Sequence, residues 1–134
     1  LYKRQISSNI AAKPFVRKSL LKFQRSFPKK KLKSSKYVVI EGRDIGTVVF
    51  PNADFKIFVW ADTSIRAQRR HKQILKSGKK SSFKRVFADI KKRDNKDLNR
   101  KLAPLKPAEN SVLLDTTYLD IEQSFNAIKK IIIN

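Results

Sequence analysis

Cysteine and methionine are both absent from the 134-residue sequence. Without cysteine the chain can form neither a disulfide framework nor a thiolate metal site. Because translated chains begin with methionine, its absence predicts that these residues belong to a longer protein. No apolar run approaches the roughly 20 residues that cross a bilayer as a helix. A soluble cytoplasmic protein that does not enter a membrane is therefore the expectation.

Acidic residues are also scarce, since 11 Asp and Glu stand against 32 Lys and Arg and leave a net charge of +21. Phosphorylated ligands and polyanions are the natural partners of so positive a field. Many of the lysines, however, lie on predicted helix faces or in the run 29–33, where a solvated surface is the favoured interpretation. A nucleic-acid-binding protein also requires stacking aromatic residues or a known fold, and most Phe residues here occupy core-like positions. Nucleic-acid binding therefore ranks last among the functions considered.

Glycine occurs three times, and no glycine belongs to a phosphate-binding loop of the form G-x-x-x-x-G-K-[ST]. Two of the three, Gly42 and Gly46, surround the pair Arg43-Asp44 in the stretch EGRDIG. Arginine presents a planar fork of donors to phosphate or carboxylate, and an aspartate accepts from an amine or a hydroxyl. The glycines would let a ligand approach the backbone closely. A local salt bridge in a turn explains the pair equally well when the motif is taken alone.

The spacing of apolar residues predicts both helices and strands. One helix or two short ones are expected over 7–27, with the main helix beginning near Pro14 and ending at Pro28, and a basic linker follows over 29–36. Three apolar runs are expected to form strands of a parallel sheet covered on both faces: 37–40, 55–60 and 111–114. Further helices are predicted over 64–77, capped by Asp62 and ended by Gly78, over 82–99, and from Asp120 onward.

This order of elements is an α/β pattern. The last helix is expected to face the core with four apolar residues: Ile121, Phe125, Ile128 and Ile132. In parallel α/β sheets, ligands bind beyond the carboxyl ends of the strands. The residues 41–47, Asp62 and 115–117 follow the three predicted strands, so the Arg43-Asp44 pair is expected at a ligand-binding edge.

Two helical clusters of charge could complete such a site. Arg93, Asp97 and Arg100 fall on one helix face at spacings of four and three, although a solvated ladder is the commoner explanation of such a pattern. The second cluster is a cationic stripe suited to clamping phosphates. Its members are Arg66, Arg69 and Arg70.

The order of these motifs along the chain resembles the C-terminal part of a bacterial cytidylate kinase (CMP kinase). The resemblance is carried by EGRDIGTVVFP at 41–51 and continues almost end to end. The other matching segments are SNIAAKPFVR at 8–17, ADFKIF at 53–58, RAQRR at 66–70, IKKRD at 90–94, APLKPA at 103–108 and LDTT at 114–117.

The resemblance implies a nucleoside monophosphate kinase-like fold of the P-loop type, with a parallel sheet flanked by helices. Residues 1–28 would end the CMP-binding helical region, 29–36 would be the linker, and 37–134 would be the C-terminal part of the core. The lid helices would lie at about 64–100. The first strands and the phosphate loop would be absent, leaving the strands that end at Glu41 and Trp60 beside an empty slot.

The implied reaction transfers the γ-phosphoryl group of ATP, bound with Mg²⁺, to CMP or dCMP. Arg17 and Asp44 would read the cytosine ring, Arg43 would hold the acceptor phosphate, and Ser8 and Asp97 would bind the sugar. A carboxylate at position 44 would accept from the cytosine amine and repel a uracil oxygen, and UMP would be rejected.

Arg93 and Arg100 would close over the acceptor, and the lid arginines would cover the ATP phosphates. The residues proposed to stabilise charge on the migrating group are Arg66, Arg69, Arg70 and Arg93. No metal-ligating residue is predicted, since Mg²⁺ would be held mainly by the phosphate loop. The full-length protein is expected to be monomeric.

Because the sequence lacks the phosphate loop, the isolated chain is expected to show no kinase turnover. Three alternatives remain beside a truncated kinase. The chain could be a catalytically dead remnant that binds a nucleotide, or a half that works only with a partner chain. Nucleic-acid binding is the third and least favoured.

Overall fold

The computed structural model describes residues 14–133, and for Arg17 and Lys29 the backbone alone. Its regular elements alternate helices with short strands, as the sequence predicts. In chain order they are α1 (Pro14–Lys31), a π-helical turn (Ile45–Val49), β1 (Ile57–Trp60), α2 (Thr63–Lys76), α3 (Phe83–Leu98), β2 (Val112–Asp115) and α4 (Ile121–Ile133). The prediction of an α/β architecture with a parallel sheet is thereby confirmed.

The described sheet has two parallel strands, β1 and β2, which pair from Ile57 opposite Val112 to Trp60 opposite Asp115. Helices α2 and α3 form the connection between them and pack against each other. The pairing continues past β2, where the Thr116 backbone N–H donates to the Trp60 carbonyl at 2.8 Å. The carboxyl ends of both strands therefore lie side by side.

The prediction of a strand over 37–40 is wrong, because these residues have no regular backbone conformation in the described structure. Val39 is 91% exposed and Tyr37 is 71% exposed. A parallel strand obtains all its ladder hydrogen bonds from neighbouring strands, and β1 and β2 pair with each other instead. An apolar, β-branched run without such a neighbour leaves its backbone groups to water.

The predicted helix end at Pro28 is also wrong, because α1 continues to Lys31 and takes in the start of the expected linker. Proline lacks one backbone donor, but its carbonyl can still accept a helical bond. The Leu32 N–H donates to the Pro28 carbonyl at 2.8 Å, so the helix continues past the proline. Residues 32–36 form turns and bends.

The predicted caps of α2 and α4, Asp62 and Asp120, are confirmed. Asp62 Oδ1 accepts from the Ser64 backbone N–H at 2.7 Å at the start of α2. At the start of α4, Asp120 and Gln123 each accept from the backbone N–H of the other, at 2.7 and 2.9 Å, which is a capping box. Gly78, with φ of 73°, follows the end of α2 in the left-handed conformation that favours glycine.

The core of the described residues is small, and its buried aliphatic members are Val49, Ala61 and Ala67. The predicted inward face of α4 is wrong, since Ile121 is 90% exposed and Phe125 is 63% exposed. An apolar helix stripe is buried only where another element packs on it, and no residue of α4 is buried. Among residues 14–133, no helix is long and apolar enough to cross a membrane.

Candidate functional site

The π-helical turn places the Arg43-Asp44 pair at its amino end. The Asp44 carbonyl accepts from the backbone N–H groups of Val48 and Val49 at 2.9 and 3.2 Å. Arg25 of α1 binds the other end, donating from Nε to the Val49 carbonyl at 3.0 Å and from Nη2 to the Val48 carbonyl at 2.9 Å. Helix α1 thus holds the turn that carries the pair.

The glycines beside the pair make room for packing within the protein. A Cβ added to Gly46 would lie 3.1 Å from the Ala108 Cβ, tighter than an ordinary contact. A Cβ added to Gly42 would lie 2.7 Å from Ile45 Cγ1. The close approach of the backbone at these positions is therefore to neighbouring residues of the chain itself.

Arg43 belongs to an ion-pair network that joins the turn to helices α2 and α3. Its Nη1 lies 2.6 Å from Asp97 Oδ2 and 3.8 Å from Asp94 Oδ1. Asp94 Oδ2 lies 2.6 Å from Nη1 of Arg66 on α2, and Asp97 Oδ1 lies 3.8 Å from Arg100 Nη1. We call these five residues the ion-pair network. It brings together two positively charged groups predicted from separate motifs, Arg43 and Arg100, around one carboxylate.

The two carboxylates are the most buried members of the network. The side chain of Asp97 is 11% exposed and that of Asp94 is 15% exposed, whereas that of Arg43 is 33% exposed. Attraction between charges strengthens when water is excluded, and the loss of one partner then becomes costly. The network therefore differs from the solvated ladder that a charge-rich helix usually carries.

The end of α3 is held to the following loop by both backbone and side chain. The Leu105 N–H donates to the Asp97 carbonyl at 2.8 Å. Arg100 Nε donates to the carbonyl of Ala103, which has a positive φ of 50°. Arg100 Nη2 is buried without a hydrogen-bond acceptor among the described residues. This guanidinium is thus fixed in place with one donor still unused.

The three arginines predicted as one cationic stripe bind different partners. Arg66 donates to the Ala61 carbonyl at 2.8 Å and to Thr63 Oγ1 at 2.7 Å, besides its contact with Asp94. The structure therefore ties Arg66 to the carboxyl end of β1 and connects that end to the network.

Arg69 contacts the loop after β2 through Nη2, which donates to the Thr116 and Leu119 carbonyls at 2.5 and 2.9 Å. Arg70 donates to Gln73 Oε1 of its own helix at 2.6 Å. The guanidinium groups of α2 are thus not gathered at one point in the described structure, and their assigned roles stay predictions.

The remaining predicted site residues divide into described and undescribed positions. Asp44 is half-buried beside Arg43, and Arg93 is exposed on α3, whereas Asp97 of the same predicted face is buried. Ser8 lies outside the described residues. Arg17 lies in α1, without a described side chain.

Asp94 is the network member that the sequence predictions missed. It joins Arg43 to Arg66 although it was assigned no role. A usable signal was present, because Asp94 stands three residues before Asp97 and four after Ile90, a half-buried residue of α3. Residues at these spacings lie on one helix face.

A second cluster of polar side chains lies at the carboxyl ends of the strands. A shallow cavity of about 260 Å³ opens there, lined in part by Trp60, Asp62, Asp115 and Thr117. The Ser64 hydroxyl and backbone N–H both donate to Asp62, and these bonds hold the pKa of its carboxyl below the ordinary value. Asp115 Oδ1 accepts from the backbone N–H and hydroxyl of Thr117 at 2.8 and 2.6 Å. Both carboxylates stabilise local turns.

Metal binding is not supported by the arrangement of ligand-type side chains. Within residues 14–133, no group of three or more His, Cys, Asp or Glu residues could hold a metal ion. The carboxylates of Asp94 and Asp97 contact arginine instead.

This chain is similar to known proteins over nearly its whole length. A family model described as cytidylate kinase matches residues 3–134. The cytidylate kinase of Rhizobium meliloti (strain 1021) is 43% identical over 128 residues, which are 96% of this chain and 58% of that protein. The cytidylate kinase of Brucella ovis is 46% identical over 128 residues, 96% of this chain and 57% of the relative. The chain therefore spans a little over half the length of the curated relatives it matches.

Proposed function

The chain belongs to the cytidylate kinase family, and from this premise we propose that it carries the CMP-binding part of a phosphoryl-transfer enzyme. The reaction would move the γ-phosphoryl group of ATP to CMP or dCMP and yield CDP or dCDP. The observation that supports the proposal is the ion-pair network, in which Arg43 and Arg100 lie on either side of Asp97.

Arg43 is proposed to bind the acceptor phosphate. A guanidinium makes short, charge-assisted bonds to phosphate oxygens and can do so with two donors at once. Arg100 has a buried, unused donor and lies at the end of the same network. Asp97, between them, would accept from a sugar hydroxyl, and Ser8 is proposed to assist it.

Asp44 is proposed to select cytosine, together with Arg17. Its carboxylate follows Arg43 directly, so the two neighbours could hold opposite ends of one nucleotide. A carboxylate accepts from the amine of cytosine, whereas a uracil oxygen at that position would be repelled. The neutral, isosteric change Asp44→Asn should reduce the preference for CMP over UMP.

The predicted lid arginines are proposed to divide their roles, with Arg70 and Arg93 acting on the phosphates of ATP. Arg66 and Arg69 already bind carbonyl and carboxylate oxygens, so we propose that they hold the lid helices in position. Arg70 and Arg93 would then approach the migrating phosphoryl group when the lid closes. Stabilising the charge on this group and positioning the two substrates are the main sources of catalysis in phosphoryl transfer.

The ATP phosphate loop is proposed to come from the part of a cytidylate kinase that this chain does not span. Mg²⁺ bound with ATP would neutralise phosphate charge, but the described residues do not form a site for it, and the roles proposed here do not depend on it. We also propose a cytoplasmic location and a monomeric complete enzyme.

Calorimetric titration of the chain with CMP, and separately with UMP, tests the proposed binding. We expect saturable CMP binding and a clear preference over UMP. Equal binding of the two nucleotides would contradict the role of Asp44. Absence of CMP binding would contradict the proposed function.

A coupled assay of ADP release tests the proposed division of labour. We expect no turnover of ATP and CMP by the chain alone. Turnover should appear when the chain is joined to the part of the Brucella ovis relative that it does not cover, and Arg43→Ala should abolish it. Turnover by the isolated chain would refute the requirement for a separate phosphate loop.

A further inference from the structure

In the ion-pair network, one carboxylate oxygen of Asp94 is buried without a hydrogen-bond donor among the described residues. Its Oδ2 lies 2.6 Å from Arg66 Nη1, but its Oδ1 is buried and accepts no hydrogen bond from the described residues. A buried carboxylate oxygen without a donor is costly and rare in folded proteins. The position of this oxygen therefore calls for a donor that another arrangement of the network could supply.

Arg43 is the cation closest to supplying that donor. Its Nη1 lies 3.8 Å from Asp94 Oδ1 while it contacts Asp97 Oδ2 at 2.6 Å. A hydrogen-bonded distance for such a pair is about 2.8 Å, so a shift of the guanidinium by about 1 Å would exchange one carboxylate for the other. The side chain of Arg43 is one-third exposed and is not locked into the core.

The exchange would also release Asp97 for a ligand. Arg43 contacts the Oδ2 atom of Asp97. A sugar hydroxyl that donates to this oxygen would compete with Arg43 for it. When Arg43 moves away, Asp97 keeps a positive neighbour, because Arg100 Nη1 lies 3.8 Å from its other oxygen.

We propose that Asp94 is a positioning residue that takes over Arg43 from Asp97 when a nucleoside monophosphate binds. The sugar hydroxyl then donates to Asp97, and Arg43 is held by Asp94 while it binds the phosphate. Because Asp94 also binds Arg66, the exchange would connect the filled acceptor site to helix α2. This inference rests on the proposed function, since it takes the ligand to be a nucleotide held by Arg43.

The first test compares two ligands that differ only in the phosphate, CMP and cytidine. In calorimetric titrations, Asp94→Asn should weaken CMP binding about tenfold and weaken cytidine binding less, because cytidine has the sugar hydroxyl that competes for Asp97 but no phosphate for Arg43 to bind. Asp89→Asn is the matched control, because it removes the same charge from an exposed position of α3, and it should bind both ligands as the unaltered chain does. Asp94→Glu, which retains the charge, should recover most of the CMP affinity.

A residue that only anchored α2 would give a different pattern. Equal weakening of CMP and cytidine by Asp94→Asn, or unchanged CMP binding, would overturn the inference. If Asp94→Asn fails to fold, Asp94→Glu replaces it in the test. Loss of the preference for CMP over cytidine in Asp94→Glu would also overturn the inference.

A ligand-free measurement separates this inference from the proposed function. Nitrogen-15 NMR of the Arg43 Nε–H reports whether the guanidinium is restrained. In Asp97→Asn we expect it to stay protected from exchange through Asp94, and in the double variant Asp94→Asn with Asp97→Asn we expect that protection to be lost. Loss of protection in Asp97→Asn alone would refute the exchange, whatever the outcome of the CMP titration.

Discussion

Removing the charge of Asp97 should destabilise the chain far more than removing any exposed carboxylate. Asp97→Asn retains the shape of the side chain but leaves Arg43 and Arg100 without their shared partner. The side chain of Asp97 is 11% exposed and lies 2.6 Å from Arg43. The change therefore tests whether the ion-pair network is a structural unit.

The expected magnitude follows from the burial of the two partners. A hydrogen bond between charged groups contributes about 1.5–3 kcal/mol to stability, and removing one member of a fully buried pair costs about 3–5 kcal/mol. Because the side chain of Arg43 is 33% exposed, water would screen part of the loss. We therefore expect the free energy of unfolding to fall by about 2 kcal/mol in Asp97→Asn.

Urea unfolding followed by tryptophan fluorescence is a direct assay, since Trp60 is the single tryptophan of the sequence and lies at the end of β1. Asp89→Asn is the control and should change the free energy of unfolding by no more than about 0.5 kcal/mol. The difference between the variants should persist at 0.5 M salt, because buried pairs are weakly screened. Equal effects of the two substitutions would show that the network is a solvated ladder.

Three further predictions concern the elements that hold the site in place. Arg25→Met should lower the free energy of unfolding by about 1 kcal/mol by removing two hydrogen bonds to the π-helical turn. The control Lys22→Met, at an exposed position of the same helix, should not lower it, and the urea unfolding midpoints of the two variants measure the difference. Gly46→Ala should cost about 1 kcal/mol through its contact with Ala108, and Ala108→Gly in the same chain should restore the midpoint. Asp62 stabilises α2 at pH values above the ordinary carboxyl pKa of about 4. Because the pKa of Asp62 itself is lowered, this stabilisation should be lost as the pH falls through that lower pKa. Asp62→Asn should lack this step in helix content measured by circular dichroism, and an identical acid transition in both proteins would contradict the assignment.

Local signals in the sequence were sufficient for the elements that depend on near neighbours. The caps at Asp62 and Asp120 and the glycine after α2 predicted helix boundaries because these contacts span only two to four residues. The strand over 37–40 and the buried face of α4 were wrong because each needs a distant partner. An apolar pattern indicates what a segment can bury, but the neighbour that would cover it is not encoded in the segment itself.

The candidate site shows the same division. Arg43, Asp97 and Arg100 were predicted from motif and spacing, and the structure brings them together. Asp94 was missed, because two carboxylates on one helix face look alike in sequence and differ only in the arginines that they meet. The separate partners of Arg66 and Arg69 were likewise unpredictable, since helical spacing places side chains on a face but does not choose their contacts.

The central claim is that residues around Arg43 and α3 form a CMP-binding site, and a nuclear magnetic resonance titration of the nitrogen-15-labelled chain tests it most directly. CMP should shift the resonances of residues 43–44 and 93–100 together and saturably, whereas UMP at the same concentrations should shift them much less. Shifts spread over the lysine-rich surface of α1, or equal shifts with CMP and UMP, would contradict the claim.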